Sequence, residues 1–303
     1  MRKLPSTVSQ GGPALAAALA CIATLFWPAG AARADVRLYE VSVPLEGTTT
    51  EDRAAGMTVA MQAVAVKASG RREAAENPAV NRADPAKYVQ RYSTTAGRVL
   101  KVGFDGQAVE QLLQQAGLPL WPAERPVTVI DAPVPDPAAV EAAAQWRGLP
   151  IAWSAGQATP AASTARAVLT GVPSGAEFAW TFTYDGRTAE TRGSAQDGIH
   201  LAADTLAARF APASTRTSAS LPLRVGGMDG LADYSGLLAY LNSLSLVRGV
   251  EVESLDGPVV QLRVVVRGDR DLLARVAALD GRLVPGPGAA DGMPSAVDFV
   301  YQP

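Results

Sequence analysis

The residues of this 303-residue chain that come nearest to an acid-base catalytic pair are His200 and Asp204. They lie four positions apart, within reach of each other on one side of a helix, where the carboxylate could orient the imidazole as a general base. A nucleophile would have to come from elsewhere, and the chain has no Gly-x-Ser-x-Gly segment to supply one. The spacing therefore favours a solvated pair on a helix surface over a catalytic site.

Carboxylates are the second class of residue that could do chemistry. Asp131, Asp136, Glu251 and Glu253 could pair as general acid and base, but nothing in their spacing indicates that any two converge. Glu251 and Glu253 alternate in a manner typical of the outer face of a strand.

A glycine-rich segment, GGMDG at residues 226–230, lies between a predicted strand and a predicted helix, where a phosphate could be held. The segment lacks both the Gly-x-Gly-x-x-Gly spacing and the lysine of a nucleotide-binding loop. Glycine and aspartate are the usual residues of tight turns and helix caps, so we interpret it as a turn in which Asp229 caps the following helix.

An aromatic row could stack on a sugar or a peptide. Phe178, Trp180, Phe182 and Tyr184 alternate with small residues, and Asp185-Gly186 after them is a favoured hairpin turn. A row of this kind on a strand is more often part of a core, so we predict a hairpin whose aromatic face is buried.

Scarcity of histidine and cysteine limits the remaining chemistry. His200 is the single histidine and Cys21 the single cysteine.

The amino-terminal segment has the layout of a secretory signal peptide with cleavage after Ala34. Cys21 lies inside an apolar run that follows Arg2 and Lys3 and that ends before Ala32-Arg33-Ala34. A retained anchor and lipidation of Cys21 are the alternatives, but the apolar run is shorter than the roughly 20 residues that span a bilayer. We expect residues 1–34 to be removed and the protein to be periplasmic.

Charge argues against nucleic acid as a partner. Removal of residues 1–34 takes away three of the 27 basic residues and none of the 29 acidic ones, which leaves a net charge of −5. Binding to nucleic acid depends on basic residues that neutralise phosphates, and the chain has no basic run. No second apolar stretch reaches membrane length, so we expect no transmembrane span after removal of the signal.

The order of the predicted helices and strands, which would position the candidate residues, indicates a multidomain protein of the α+β or α/β class. The order β, α, α, β, α predicts an N-terminal α/β domain over residues 35–122. Its first helix is predicted to be capped by the box Thr48-Thr49-Thr50-Glu51 and to end at Gly70. A proline-rich linker follows, and residues 125–212 predict a middle α/β domain that carries the aromatic hairpin.

The last third predicts a ferredoxin-like unit. Residues 220–286 have the order β-α-β-β-α-β, in which two helices cover one face of a four-stranded antiparallel sheet. The first of these helices is predicted to bury Leu231, Tyr234, Leu238 and Leu241, and the second to begin at a capping Asp269. Residues 287–303 are predicted to be a flexible tail.

Several segments resemble a proteobacterial exported family known as domain of unknown function 2066. They are LYEVSVPLEGTTTEDRAAGMTVAMQAV, YVQRY, LKVGFDGQAVEQLLQQAGLPLWPAERP, and VLTG followed by the aromatic hairpin. The first helix of that family usually ends in an apolar run and Thr-Gly, whereas this chain has a lysine and a serine in VAVKASG, residues 64–70. The family has no established activity, so the resemblance implies no site residues; by fold analogy it suggests an accessory protein of envelope or flagellar assemblies.

These observations together predict a periplasmic, non-enzymatic accessory or scaffold protein of the cell envelope that acts through protein-protein interaction with an envelope protein. A binding module for a small ligand or a glycan is the alternative, and an enzyme is the least favoured interpretation. No catalytic, cofactor-binding or metal-binding residue is predicted, and no cofactor.

Overall fold

A computed structural model describes residues 33–35, 37–95, 98–154, 167–211, 218–287 and 297–303. The chain has a mixed α+β fold with several sheets, and its described part contains seven α-helices: α1 (Thr50–Ser69), α2 (Pro78–Arg82), α3 (Gly106–Gln115), α4 (Pro137–Arg147), α5 (Ala195–Phe210), α6 (Leu231–Ser243) and α7 (Arg270–Ala277). The strands are β1 (Arg33–Asp35), β2 (Glu40–Pro44), β3 (Val89–Thr94), β4 (Val99–Phe104), β5 (Glu124–Pro126), β6 (Thr128–Asp131), β7 (Ile151–Trp153), β8 (Ala167–Ser174), β9 (Glu177–Tyr184), β10 (Arg187–Gly193), β11 (Ser218–Gly226), β12 (Val247–Asp256), β13 (Val259–Arg267), β14 (Leu283–Pro285) and β15 (Phe299–Tyr301).

The N-terminal part folds around a three-stranded antiparallel sheet in the order β2-β4-β3. Helix α1 is capped by Thr49, whose side chain accepts from the backbone of Asp52, while the Asp52 carboxylate accepts from the Thr49 backbone. The helix does begin with a capping box, but both of its members lie one residue beyond the predicted Thr48 and Glu51. Gly70 ends the helix with a φ of 71°, as the sequence predicts.

The middle part contains a five-stranded sheet in the order β10-β9-β8-β6-β7. Strands β8, β9 and β10 are antiparallel, whereas β6 runs parallel to both β7 and β8. The predicted hairpin is confirmed: Asp185 and Gly186 join β9 to β10 with φ values of 51° and 73°. Helix α5 packs on β8, β9 and β10 and buries Ile199, Leu206 and Phe210.

The C-terminal sheet has five strands in the order β12-β13-β11-β15-β14. Strand β15 lies parallel to β11 and antiparallel to β14, so part of the segment predicted to be a flexible tail is a strand inside the sheet. Helix α6 also differs from its prediction. It begins after Gly230, which makes no side-chain cap, and Leu231 is 81% exposed. The helix buries Leu237, Tyr240 and Leu241, of which Leu241 was predicted, and the predicted Tyr234 and Leu238 are partly buried against the core.

Buried apolar side chains form two clusters. One belongs to the N-terminal part and contains Met61, Leu100 and Phe104. The other is continuous through the middle and C-terminal parts, from Trp121 and Trp180 to Tyr301. This cluster contains residues of both segments predicted as domains, 125–212 and 220–286.

Two strands far apart in sequence join the start of the described chain to the linker: β1 pairs antiparallel with β5. The predicted signal peptide lies outside the described residues except for Arg33 and Ala34. Among the helices of the described residues, none is both long and apolar enough to cross a membrane.

Candidate functional site

His200 and Asp204 lie together on α5, where both are partly exposed and both are in contact with arginines. Arg147, at the end of α4, donates to Asp204 Oδ1 at 2.6 Å, and its Nη1 lies 3.2 Å from His200 Nδ1. Arg72 contacts the other oxygen of Asp204 at 3.2 Å. Burial and the charges of both arginines lower the pKa of His200. The pair therefore holds α4 to α5, with a neutral imidazole and a carboxylate occupied by two arginines.

The other carboxylates do not converge. Asp136 caps α4 by accepting from Ala139 N, and Asp131 is exposed at the end of β6. Glu251 and Glu253 are exposed on β12, as predicted, and Glu253 forms an ion pair with Arg263. The described residues contain no group of three or more histidine, cysteine, aspartate or glutamate side chains that could hold a metal ion.

The glycine-rich segment at residues 226–230 is a turn that packs against the last strand. Gly227 has a φ of 89°, and a β-carbon there would lie 2.7 Å from the Tyr301 carbonyl oxygen. The turn prediction is confirmed, but the cap is wrong: the Asp229 backbone donates to the Asp233 carboxylate. Strand β15 occupies the space beside Gly227 that a phosphate would need.

The aromatic row belongs to the core, as predicted. Trp180 and Phe182 are at most 1% exposed, and Trp180 Nε1 donates to Ser194 O at 2.8 Å. A β-carbon on Gly171 or Gly198 would lie within 2.5 Å of the Trp180 ring, so both glycines let the backbone approach the indole. The row is not available to stack on a ligand.

A buried arginine that the sequence analysis passed over joins the N-terminal and middle parts. Arg125 is fully buried, and its guanidinium lies 3.7 Å from the centre of the Trp121 ring. It donates to Lys67 O at the end of α1 (2.8 Å) and to Gly148 O at the end of α4 (2.6 Å). Both acceptors lie at the negative ends of helix dipoles, so a single cation stabilises two helix ends.

A second arginine, Arg147, also holds α1 and α4 together, and we call the contacts of Arg125 and Arg147 with the ends of these helices the joint. Arg147 Nη2 donates to Gly70 O at 2.9 Å, immediately beyond the end of α1. Trp121 N donates to Ala68 O at 2.7 Å in the same region. The carbonyl ends of α1 and α4 are thus held together by two arginines through backbone acceptors, which leaves little freedom between the two helices.

A third contact ties the N-terminal part to the C-terminal sheet. Glu110 on α3 accepts from Tyr39 Oη at 2.7 Å, lies 2.9 Å from Arg267 and also pairs with Arg248. Burial alone would raise the pKa of the Glu110 carboxyl, but the charges of Arg267 and Arg248 and the Tyr39 hydrogen bond hold it below its usual range.

Beside the joint between α1 and α4 lies an open cleft of about 810 Å³. We call it the β2 cleft, because all five residues of β2 line it. Its other walls come from α1 (Val59, Ala63, Lys67), from α4 and the residues after it (Trp146, Pro150), and from β3 and β4. Tyr92 is 55% exposed, Val59 42% and Trp146 36%, so the cleft offers apolar surface to solvent.

The β2 cleft is basic, although the whole chain has a net charge of −2. Four basic residues line it, Arg37, Lys67, Arg91 and Lys101, against the single acidic residue Glu40. Glu40 is itself bonded to Arg37 and Arg91, which lower the pKa of its carboxyl. Low-dielectric walls concentrate the field of such a cleft, which therefore favours an anionic ligand.

Lys67 is the unusual residue of the cleft. Its side chain is 8% exposed, and its Nζ donates to Glu40 O at 2.8 Å. Within the described part of the chain it makes no ion pair. Burial, together with the charge of Arg125, lowers the pKa of the ammonium to about 8. A buried charge without a counter-ion destabilises a fold, and such groups are concentrated at functional sites.

We expect Lys67→Met to raise the free energy of unfolding by about 2 kcal/mol at pH 7, because methionine fills similar space without a desolvated charge. Between pH 8 and 10.5 the lysine of the unfolded chain is protonated and that of the folded chain is not, so the wild type gains stability with rising pH. The difference in free energy of unfolding between Lys67→Met and the wild type should therefore shrink as the pH rises over this range. Urea unfolding of both proteins at pH 7, 8.5 and 10 measures this difference.

Lys87→Met is the matched control, since Lys87 is exposed and lies outside the cleft. It should leave the free energy of unfolding within about 0.5 kcal/mol of the wild type. A Lys67→Met protein less stable than the wild type at pH 7 would contradict the assignment of Lys67 as an uncompensated charge.

Comparisons with known proteins give one match. A family model described as a domain of unknown function (DUF8605) matches residues 32–122, which contain β1 to β4, α1 to α3 and Lys67. No curated protein matches the chain, and no solved structure does. The N-terminal part of the chain is therefore similar to a family of unknown function.

Proposed function

We propose that this protein is a non-enzymatic accessory or scaffold protein of the bacterial cell envelope, which binds a protein partner through the β2 cleft. The observation that carries the proposal is Lys67, a buried ammonium at an open, basic and partly apolar cleft, which makes no ion pair with any of the described residues. The acid-base pair that would favour an enzyme, His200 and Asp204, is occupied by Arg147 and Arg72.

The packing of the three parts also supports a scaffold. Arg125 and Arg147 fix α1 against α4, and Glu110 ties α3 to the C-terminal sheet. Inter-domain contacts made through buried charged groups hold one relative orientation, since moving the parts would leave these groups without partners. A protein built in this way presents its surfaces in a fixed arrangement to a partner.

The location in the periplasm is part of the proposal. It rests on the amino-terminal sequence, with its basic start, apolar run and Ala32-Arg33-Ala34, and on the resemblance to an exported family. Cleavage after Ala34 would leave Asp35 as the new terminus and would remove Arg33 and Ala34 from β1.

We further propose that residues 218–301 are a ferredoxin-like unit with an added strand. The elements β11, α6, β12, β13, α7 and β14 follow the order β-α-β-β-α-β, and β12, β13 and β11 are neighbours in the sheet as that arrangement requires. Strand β15 separates β11 from β14 and is the departure from the four-stranded pattern.

A small anionic ligand is the second candidate for the β2 cleft. A volume of about 810 Å³ lies in the range of small-molecule sites, and the basic lining would suit a carboxylate. The alternative predicted from the sequence, a ligand stacked on the aromatic row, loses its support because Trp180 and Phe182 are buried.

The function is tested by photo-crosslinking in intact cells, with a photoreactive amino acid at Val59 in the cleft or at Val172 outside it. Both valines are exposed, at 42% and 59%, so they form a matched pair. We expect a discrete protein adduct from position 59 that disappears when Lys67→Met is added, and no such adduct from position 172. The purified material should begin at Asp35.

Recovery of the protein from the periplasm as a monomer without adducts at either position, at its native abundance, would overturn the proposal. An adduct from position 59 that Lys67→Met leaves unchanged would overturn the role of the cleft.

A further inference from the structure

Strand β2 is an edge strand of the described sheet, and its backbone pairing sets which groups remain open. Phe104 N donates to Tyr39 O at 2.9 Å, and Leu45 N donates to Arg98 O at 2.7 Å, at the two ends of the pairing with β4. Residues that bond a given neighbour alternate along an antiparallel strand. The odd-numbered residues of β2 therefore direct their backbone groups to β4.

The even-numbered residues Glu40, Ser42 and Pro44 direct their backbone groups away from β4, into the cleft. Lys67 reaches the Glu40 carbonyl from this side, which agrees with that orientation. Pro44 has no N–H to offer. Ser42 thus presents one N–H and one carbonyl side by side at the edge, which is the arrangement that pairs with one residue of an added strand.

The two sides of such an added strand would meet different surroundings. Ser42 shares the outer face of the sheet with its register partner Lys101, near Arg91. Val59 and Ala63 of α1 line the cleft on the opposite side, because α1 packs on the face that carries Val43. Side chains of a strand alternate between its faces, so acidic residues suit the outer positions and apolar residues the positions between them.

We propose that the β2 cleft binds an acidic polypeptide segment in extended form, as a strand added to the open edge of β2 and centred on Ser42. The proposal rests on the function proposed above and names the chemistry of the partner. Charge complementarity with Lys67, Arg37, Lys101 and Arg91 selects the acidic segment, and the paired groups of Ser42 select the extended backbone. Five residues of β2 correspond to a bound stretch of about 17 Å.

The natural partner is represented in the test by a synthetic seven-residue peptide that alternates aspartate or glutamate with valine. Its binding to the full chain is measured by calorimetry, together with hydrogen exchange of the Ser42 amide. We expect binding at least about tenfold tighter than that of the same peptide with lysine at the acidic positions, and slower exchange at Ser42 in the complex. A peptide with N-methyl groups on the amides that face β2 should bind about tenfold more weakly.

Two variants distinguish the contribution of charge to peptide binding from the contribution of backbone pairing along β2. Ser42→Pro removes the N–H that faces the cleft and leaves the pairing with β4 intact, and Pro44 has the same orientation in the wild type. We expect it to weaken the acidic peptide about tenfold without altering the charge of the cleft. Lys67→Met should weaken the peptide to a similar extent, and Lys87→Met, outside the cleft, should have no effect.

The outcomes also separate this inference from the proposed function. If Lys67→Met abolishes the cellular adduct while N-methylation and Ser42→Pro leave peptide binding unchanged, the cleft binds a protein but strand addition is wrong. If free succinate competes at the same concentration as the peptide, the site takes a small anion and the inference is overturned. Equal binding of the acidic and the lysine peptides would remove the charge argument as well.

Discussion

Arg125→Met should lower the free energy of unfolding by about 4 kcal/mol, measured by urea unfolding with circular dichroism. Methionine keeps much of the packing against Trp121 but leaves the carbonyls of Lys67 and Gly148 without their donor. Each hydrogen bond to a buried charged group contributes about 1.5–3 kcal/mol, and an unsatisfied buried carbonyl has a similar cost. The Arg125→Lys variant should lose nearly as much stability, because a single ammonium cannot replace the forked guanidinium that reaches both carbonyls.

Arg187→Met is the control for this prediction. Arg187 is exposed on β10, so its replacement should change the free energy of unfolding by no more than about 0.5 kcal/mol. If Arg125→Met were also within about 1 kcal/mol of the wild type, the helix ends of α1 and α4 would not depend on the guanidinium, and the joint would have to be assigned to apolar packing.

Trp180→Ala should lower the free energy of unfolding by about 3–5 kcal/mol, since it removes a fully buried indole that fills the space beside Gly171 and Gly198. Trp180→Phe keeps a ring at this position and loses the hydrogen bond to Ser194 O, so it should lose about 1–2 kcal/mol. Thermal and urea unfolding of both variants measure the two effects.

Neither replacement of Trp180 should change binding of the acidic peptide by the folded fraction. Trp180 belongs to the core of the middle part and does not line the β2 cleft. A Trp180→Ala protein that keeps wild-type stability but no longer binds the acidic peptide would contradict the assignment of the aromatic row to the core. The row would then again be a candidate binding site.

Features that depend on neighbouring residues could be predicted from the sequence. The cap at Asp269 and the hairpin turn at Asp185-Gly186 both involve residues a few positions apart, and the structure contains both. A cap or tight turn is decided by local hydrogen bonds and by the tolerance of glycine for positive φ, so the local sequence indicates where it lies. The indication can still fail in detail: Asp229 does not cap α6, and the box of α1 lies one residue beyond its predicted place.

Features that depend on distant residues could not be predicted in this way. Strand β15 finds its place between β11 and β14 through pairing with residues far away in sequence, and a three-residue strand carries no periodicity to reveal it. Arg125 falls in a stretch whose prolines indicate a linker, and its acceptors are backbone carbonyls, which are the same in every sequence. The buried side of α6 was predicted from spacing alone to include Leu231. In the structure Leu231 is exposed, and Tyr240 is buried instead.

Lys67 is the site residue for which the sequence does hold a signal. A lysine among valines and alanines near the end of α1 departs from the apolar pattern of a buried helix side. The pattern by itself could not tell a lysine that reaches solvent along its stem from one that is held under a cleft, because that depends on where α4 and β2 lie. The burial of the Lys67 ammonium could therefore not be predicted from the sequence without the positions of α4 and β2.

The joint at Arg125 has a consequence for recognition. The helices α1 and α4 that border the β2 cleft end on the same guanidinium, so the gap between them is set before any ligand arrives. A preorganised gap spares the protein the entropy of closing around its ligand, and only the ligand has to become ordered.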